Sequence, residues 1–169
     1  MGKIDMVSLN FSIGPDGWRR LRLRVDGQEI EVGPFGADTD ALGDLVRAGV
    51  HLATGGQAAT IRFDGEPENW LLDLSRDVQA ITRPRPLLGR VFYSEGAKAT
   101  PVAETLVAQF RCDQDELARA IAAAARGVLE AWGPEGYVEA SGGLDGFPLR
   151  GLIAIEAALQ QADPPGRQA

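Results

Sequence analysis

The chain has 169 residues, 44% of them apolar and 24% charged, an ordinary composition for one folded domain with a substantial core. Its net charge of −7 repels phosphate backbones, which argues against nucleic acid as a general partner and leaves a basic protein as the complementary one. No apolar run reaches the length of a membrane span, residues 1–10 lack a signal-peptide core, and one cysteine, Cys112, excludes an internal disulfide and fits a reducing, cytoplasmic compartment.

Val7, Leu9, Phe11 and Ile13 alternate with polar residues and predict a half-buried strand. Gly14-Pro15-Asp16-Gly17 follows as a turn. Pairing Gly14 with Trp18 sets Phe11 against Leu21 and Leu9 against Leu23, so the apolar faces agree. The second strand, residues 18–25, carries Arg20, Arg22 and Arg24 on one face. Asp26-Gly27 is a two-residue hairpin signal that puts Arg24 opposite Glu29 and Arg22 opposite Glu31, with Leu23 facing Ile30 and Leu21 facing Val32. The basic ladder is thereby neutralised, and a solvated sheet face is a simpler reading than an anion site. Gly33-Pro34-Phe35-Gly36 is expected to break the sheet.

Asp38 or Thr39 is expected to cap a helix running to about Thr54, with Leu42, Leu45, Val46, Gly49, Leu52 and Ala53 on its buried stripe. Gly49 there would allow close backbone packing. Asp44, Arg47 and His51 point away, and His51, the one histidine, has no cysteine or second histidine near it in sequence, which gives a zinc site little support. Ala59, Ile61 and Phe63 read as a strand. Asp64-Gly65-Glu66-Pro67-Glu68-Asn69 reads as an acid-rich turn, and Trp70, Leu72 and Leu74 as a return strand facing the core. A tight turn at Arg76-Asp77 should lead into a strand over residues 78–82. Arg83-Pro84-Arg85-Pro86 reads as extended and edge-like, because proline cannot donate to a ladder. A further strand carries Val91 and Tyr93.

Residues 100–112 fit a strand through Val102, Leu106, Ala108 and Phe110. They also fit a helix capped by Thr100 with Pro101 at its first position. The strand is favoured because Phe110-Arg111-Cys112 must turn directly into the cap at Asp113. Residues 113–133 then give the longest helical signal. Asp113 is the N-cap, with Glu116 at the capping-box position. Leu117, Ile121, Ala124, Ala125, Val128, Leu129 and Trp132 form the apolar stripe, with Asp115, Arg119, Arg126 and Glu130 outside it. Gly133-Pro134 ends the helix. Gly136-Tyr137-Val138 suggests a short strand. Pro148 opens a last helix with Leu149, Leu152, Ile153, Glu156 and Leu159 on one stripe and Ile155 partly off it. The expected whole is one α+β domain over residues 1–162, a mostly antiparallel sheet of hairpins with two or three packed helices, followed by a frayed tail at 163–169.

Several segments together resemble small bacterial proteins similar in style to immunity proteins of contact-toxin systems. They are Asp40-Ala-Leu-Gly-Asp-Leu-Val-Arg-Ala48, Phe63-Asp-Gly-Glu66-Pro-Glu68 before a Leu-rich strand, and Phe110-Arg-Cys112 feeding the long helix. Gly136-Tyr137 and Phe147-Pro148 complete the set. The resemblance implies an antiparallel sheet with packed helices and supplies no catalytic residue.

No motif carries a specific chemistry. The chain lacks a phosphate-cradling loop and a nucleophile elbow. Cys112 precedes a helix N-terminus, but its parity with Phe110 and Ala108 turns it inward as a packing residue. Asp64, Glu66 and Glu68 lack the full calcium-loop pattern and read as a solvated turn, so no metal and no cofactor is expected. Trp18, Trp70 and Trp132 read as core or partly buried anchors rather than a ligand cage. The expectation is a non-catalytic protein-binding domain, immunity-like or homo-oligomeric, that meets a basic partner through Asp64, Glu66, Glu68 and Trp70. The alternative is a small-molecule binder or enzyme with a pocket between sheet and helices.

Overall fold

The computed structural model describes residues 6–76, 83–96 and 104–162. The element order is β1 (Val7–Ile13), β2 (Arg19–Val25), β3 (Gln28–Phe35), α1 (Ala41–Ala53), β4 (Ala58–Asp64), β5 (Glu68–Arg76), β6 (Pro86–Glu95), β7 (Thr105–Asp113), α2 (Gln114–Ala140) and α3 (Leu149–Ala162). The fold is α+β, with two antiparallel sheets ordered β1-β2-β3 and β4-β5-β6-β7.

Alternation and turn chemistry set the first sheet in the expected register. Phe11 stands opposite Leu21, Leu9 opposite Leu23, Leu23 opposite Ile30 and Leu21 opposite Val32. Gly14 N donates to Trp18 O at 2.7 Å, closing the first hairpin. Asp26 and Gly27 take the two positive φ values, 50° and 83°, that a type I′ turn demands. Arg24 pairs with Glu29 at 2.7 Å and Arg22 with Glu31 at 3.0 Å, so the basic ladder is neutralised as read. The expected break at Gly33-Pro34-Phe35-Gly36 is corrected: β3 runs on to Phe35, which stands opposite Arg19 across a register shift between Arg19 and Leu21. Such an irregularity lets an edge strand carry a proline without losing a ladder bond.

In the second sheet, Ile61, Phe63, Leu72 and Leu74 are buried as their alternation requires. The segment 105–113 is a strand, which settles the ambiguity there, while residues 100–103 lie outside the described chain. The expected strand over 78–82 and the tail at 163–169 also lie outside it. The edge-like reading of Arg83–Pro86 is corrected. Pro86 opens β6, which sits inside the sheet between β5 and β7. A proline at the first residue of a strand sacrifices no ladder bond, so it does not force the strand to an edge.

The two sheets meet where Gly36 N donates to Asp64 O at 3.0 Å. Behind that seam Phe35 lies between Phe11 and Phe63, with ring centroids 5.9 and 4.9 Å away. The helices cover the other side of the core, α1 against β4 and α2 against β1.

The cap of α1 is Asp40, not Asp38 or Thr39. Its carboxylate accepts from Gly43 N at 3.0 Å, the three-residue reach that an N-cap needs. The buried stripe of α1 is as read. A Cβ at Gly49 would lie 2.7 Å from Ile155 Cδ1 and 3.0 Å from Ile121 Cγ2, so the three helices converge on that glycine. This convergence sets the rotation of α3. Leu152, Ile155 and Leu159 are buried while Leu149 and Ile153 are exposed, which corrects the stripe read for this helix.

Asp113 caps α2, accepting from Asp115 N at 2.9 Å and Glu116 N at 3.2 Å. Asp113→Ala should therefore cost about 0.5–2 kcal/mol. An unchanged urea midpoint would show that the cap is dispensable. Gly133 does break the helix, with φ 66° and ψ 170°, but helical turns resume at Pro134 and run to Ala140. The expected strand at Gly136-Tyr137-Val138 is thus corrected, since Pro134 suits the first turn of a new helical segment. Two side chains depart from the predicted stripe. Trp132 is exposed, and Asp115 is buried against Arg85 at 2.6 Å. Among the described residues, no helix is long and apolar enough to cross a membrane.

Candidate functional site

Four chain segments that carry little of the core come together at the end of the molecule where α2 finishes. They are the β1–β2 turn with Trp18, the β3–α1 loop at Gly36, Ala37 and Asp38, the β4–β5 turn at Gly65 and Glu66, and α2 through Trp132, Glu139 and Ala140 with Ser141 and Gly142 just past its end. Between them lies a groove of about 690 Å³. Local chemistry shapes each wall. Asp16 accepts from Trp18 N at 3.2 Å, which fixes the turn. The seam bond from Gly36 to Asp64 sets the two loops side by side. The break at Gly133 redirects α2 so that residues on both sides of it reach the groove.

The lining is acidic and aromatic. Asp16, Asp38, Glu66 and Glu139 contribute four carboxylates, and no lysine or arginine is among the lining residues. Trp18 and Trp132 are 37% and 41% exposed, large apolar surfaces left in contact with water. A recess of about 210 Å³ continues the groove past Trp18 and Glu66 to Glu68, Pro34 and Arg20.

Behind the groove lies a buried cation. Arg19 is 1% exposed, and its guanidinium donates to Ser141 O at 2.9 Å and Thr39 O at 3.4 Å. It ties β2 to the end of α2 and to the loop before α1. Tyr137 lies close to Arg19, fully buried, and burial pushes its hydroxyl up to about 12. It therefore stays neutral at physiological pH and adds no charge to the site.

The residues predicted for binding divide. Glu66 lines the groove and Glu68 the adjoining recess. Asp64 is half-buried, and its carbonyl belongs to the seam between the sheets. Trp70 lines neither cavity. It packs on Tyr93 with centroids 4.9 Å apart, half-buried against the core. Tyr93 in turn donates to Glu95 at 2.7 Å, a bond that pushes its hydroxyl up to about 12.

Sequence reasoning missed Trp18, Trp132, Asp16, Asp38 and Glu139 as neighbours. Turn residues announce themselves locally, but nothing local tells which turns converge. Arg19 did leave a signal, because its parity with Leu21 and Leu23 points it inward.

Among the described residues, no three His, Cys, Asp or Glu side chains converge as ligands of a metal would. His51 is exposed on α1, and Cys112 is buried and free of a disulfide. Compared with known proteins, the chain matches no family model, no curated protein and no solved structure.

Proposed function

We propose that this is a cytoplasmic, non-catalytic binding protein that docks a cationic segment of a protein partner in the groove, in the manner of an immunity protein. One observation carries the reading: four carboxylates and two half-exposed tryptophans line one groove, with no lysine or arginine among its lining residues. Carboxylates at a rim steer a basic partner and speed its encounter, and salt weakens that steering. Tryptophan faces complement a lysine or arginine once it arrives, an attraction of about 0.5–2 kcal/mol depending on how dry the contact is. The net charge of −7 acts in the same direction at longer range. The reading as an enzyme with a pocket between sheet and helices has less support, because the groove opens among loops and the end of α2. Its one hydroxyl side chain, Ser141, donates to Val138 O at 3.1 Å.

The test begins with affinity capture of the partner from the native cell. Glu66→Lys with Glu68→Lys should slow association at low salt and leave dissociation nearly unchanged. Trp18→Ala and Trp132→Ala should instead speed dissociation, with a loss of about 2 kcal/mol or more for a buried aromatic anchor. Captured partner that binds all of these variants with wild-type kinetics would place the docking surface elsewhere.

A further inference from the structure

The second sheet ends at β7, and among the described residues no strand pairs with its outer edge. A long open edge is a template for another strand, and natural edges guard against this with lysine, with proline or with a bulge. Neither residue type occurs in β7.

The pairing with β6 fixes which residues of β7 share a face. Val91 stands opposite Ala108 and Phe92 opposite Leu106, so Val107 is the extra residue of a bulge. Phe110 and Cys112 point into the core, while Leu106, Val107, Gln109 and Arg111 are exposed. The bulge leaves both Leu106 and Val107 on the outer surface, 48% and 49% exposed. They end an apolar row that crosses the sheet, since Leu71 stands opposite Phe92 and Phe92 opposite Leu106. Leu71 and Phe92 are half-buried, so the row is least covered where it reaches the open edge.

We propose that two copies of the chain join through β7, edge to edge and antiparallel, about a two-fold axis at Ala108. The inference is independent of the groove and goes beyond it. Counting ladder positions past the bulge, this register sets Leu106 of one copy opposite Gln109 of the other and Glu104 opposite Arg111. The contact is isologous, so the opposite-charge pair forms twice. The two apolar rows then meet beside the axis through Leu106 and Val107, forming one patch over six strands, three from each copy. Moving the axis one position to Gln109 would set Glu104 against Asp113, two like charges that disfavour the slip. The bulge, which ordinarily ends pairing at an edge, here supplies the apolar contact at the axis.

Sedimentation velocity on the whole chain over about 1–100 µM tests this. A dimer is expected, with an unfolding temperature that rises with protein concentration. Val107→Lys brings two ammonium groups to the axis and should yield a monomer with unchanged circular dichroism. Glu104→Arg and Arg111→Glu should each weaken dimerisation by about tenfold, since each places like charges opposite one another twice. The double exchange should restore it. A wild-type chain that stays monomeric, a dimer indifferent to Val107→Lys, or a double exchange that fails to restore association would each overturn the proposal.

Discussion

Phe35→Ala is expected to cost about 3–5 kcal/mol, the range for emptying a buried phenylalanine site. That is a large share of the roughly 5–15 kcal/mol by which a domain of this kind is stable. Phe35 is 0% exposed and lies at the seam, with Phe11 from the first sheet on one side and Phe63 from the second on the other. Truncation leaves two rings from different sheets facing a void that neither sheet can close alone. Phe35→Leu keeps most of the volume and should cost less. Urea unfolding followed by circular dichroism measures both variants. A loss below about 1 kcal/mol for Phe35→Ala would show that the sheets are not held together through this ring.

Asp115→Ala is expected to cost a similar amount, about 3–5 kcal/mol, for an electrostatic reason. Asp115 receives Arg85 at 2.6 Å and Arg83 at 2.9 Å, and the side chains of Asp115 and Arg85 are only 7% and 11% exposed. Removing the carboxylate strands a guanidinium that burial keeps from water. The same corner also holds backbone contacts. Arg85 N donates to Asp113, Gln114 N donates to Arg85 O, and the Gln114 side chain reaches Leu52 O at 2.6 Å. The start of β6, the start of α2 and the end of α1 therefore loosen together. Replacing both charges, as Asp115→Leu with Arg85→Met, should recover much of the loss, because an apolar pair needs no compensation. A double-mutant cycle by urea unfolding checks this, and a double variant as unstable as Asp115→Ala would refute the electrostatic account.

What the sequence disclosed and what it hid have physical causes. The register of the two hairpins in the first sheet was legible because two tight turns fix it and the polar face is written in alternating charges, while the run of β3 on to Phe35 past a register shift was not. The cap at Asp113 and the closely packed Gly49 were legible too, since each needs only local chemistry or one apolar stripe. The phase of α3 was not. Ile153 and Ile155 are equally apolar, and only the meeting of Ile155 with Gly49 on another helix decides which is buried. Arg85 was misread for a related reason, because its partner Asp115 lies 30 residues further on. The groove was least legible of all. Glu66 stood out as part of an acidic turn, but Trp18 and Trp132 become neighbours only after the sheets dock and α2 bends.

Among the described residues, every strand of both sheets pairs with its neighbour in sequence, β1-β2-β3 and β4-β5-β6-β7. This wiring has a consequence for how the chain reaches its native state. Each pairing closes only a short loop, so little chain entropy is lost before backbone bonds form. Distant encounters are deferred to the docking of one sheet on the other through Phe35 and the settling of α2 onto β1. A β-rich chain organised this way should fold fast for its strand content, because rate tracks the sequence separation of native contacts. The docking of the two sheets spans a longer sequence separation than any hairpin does, so substitutions at the seam should slow folding more than substitutions within either hairpin turn.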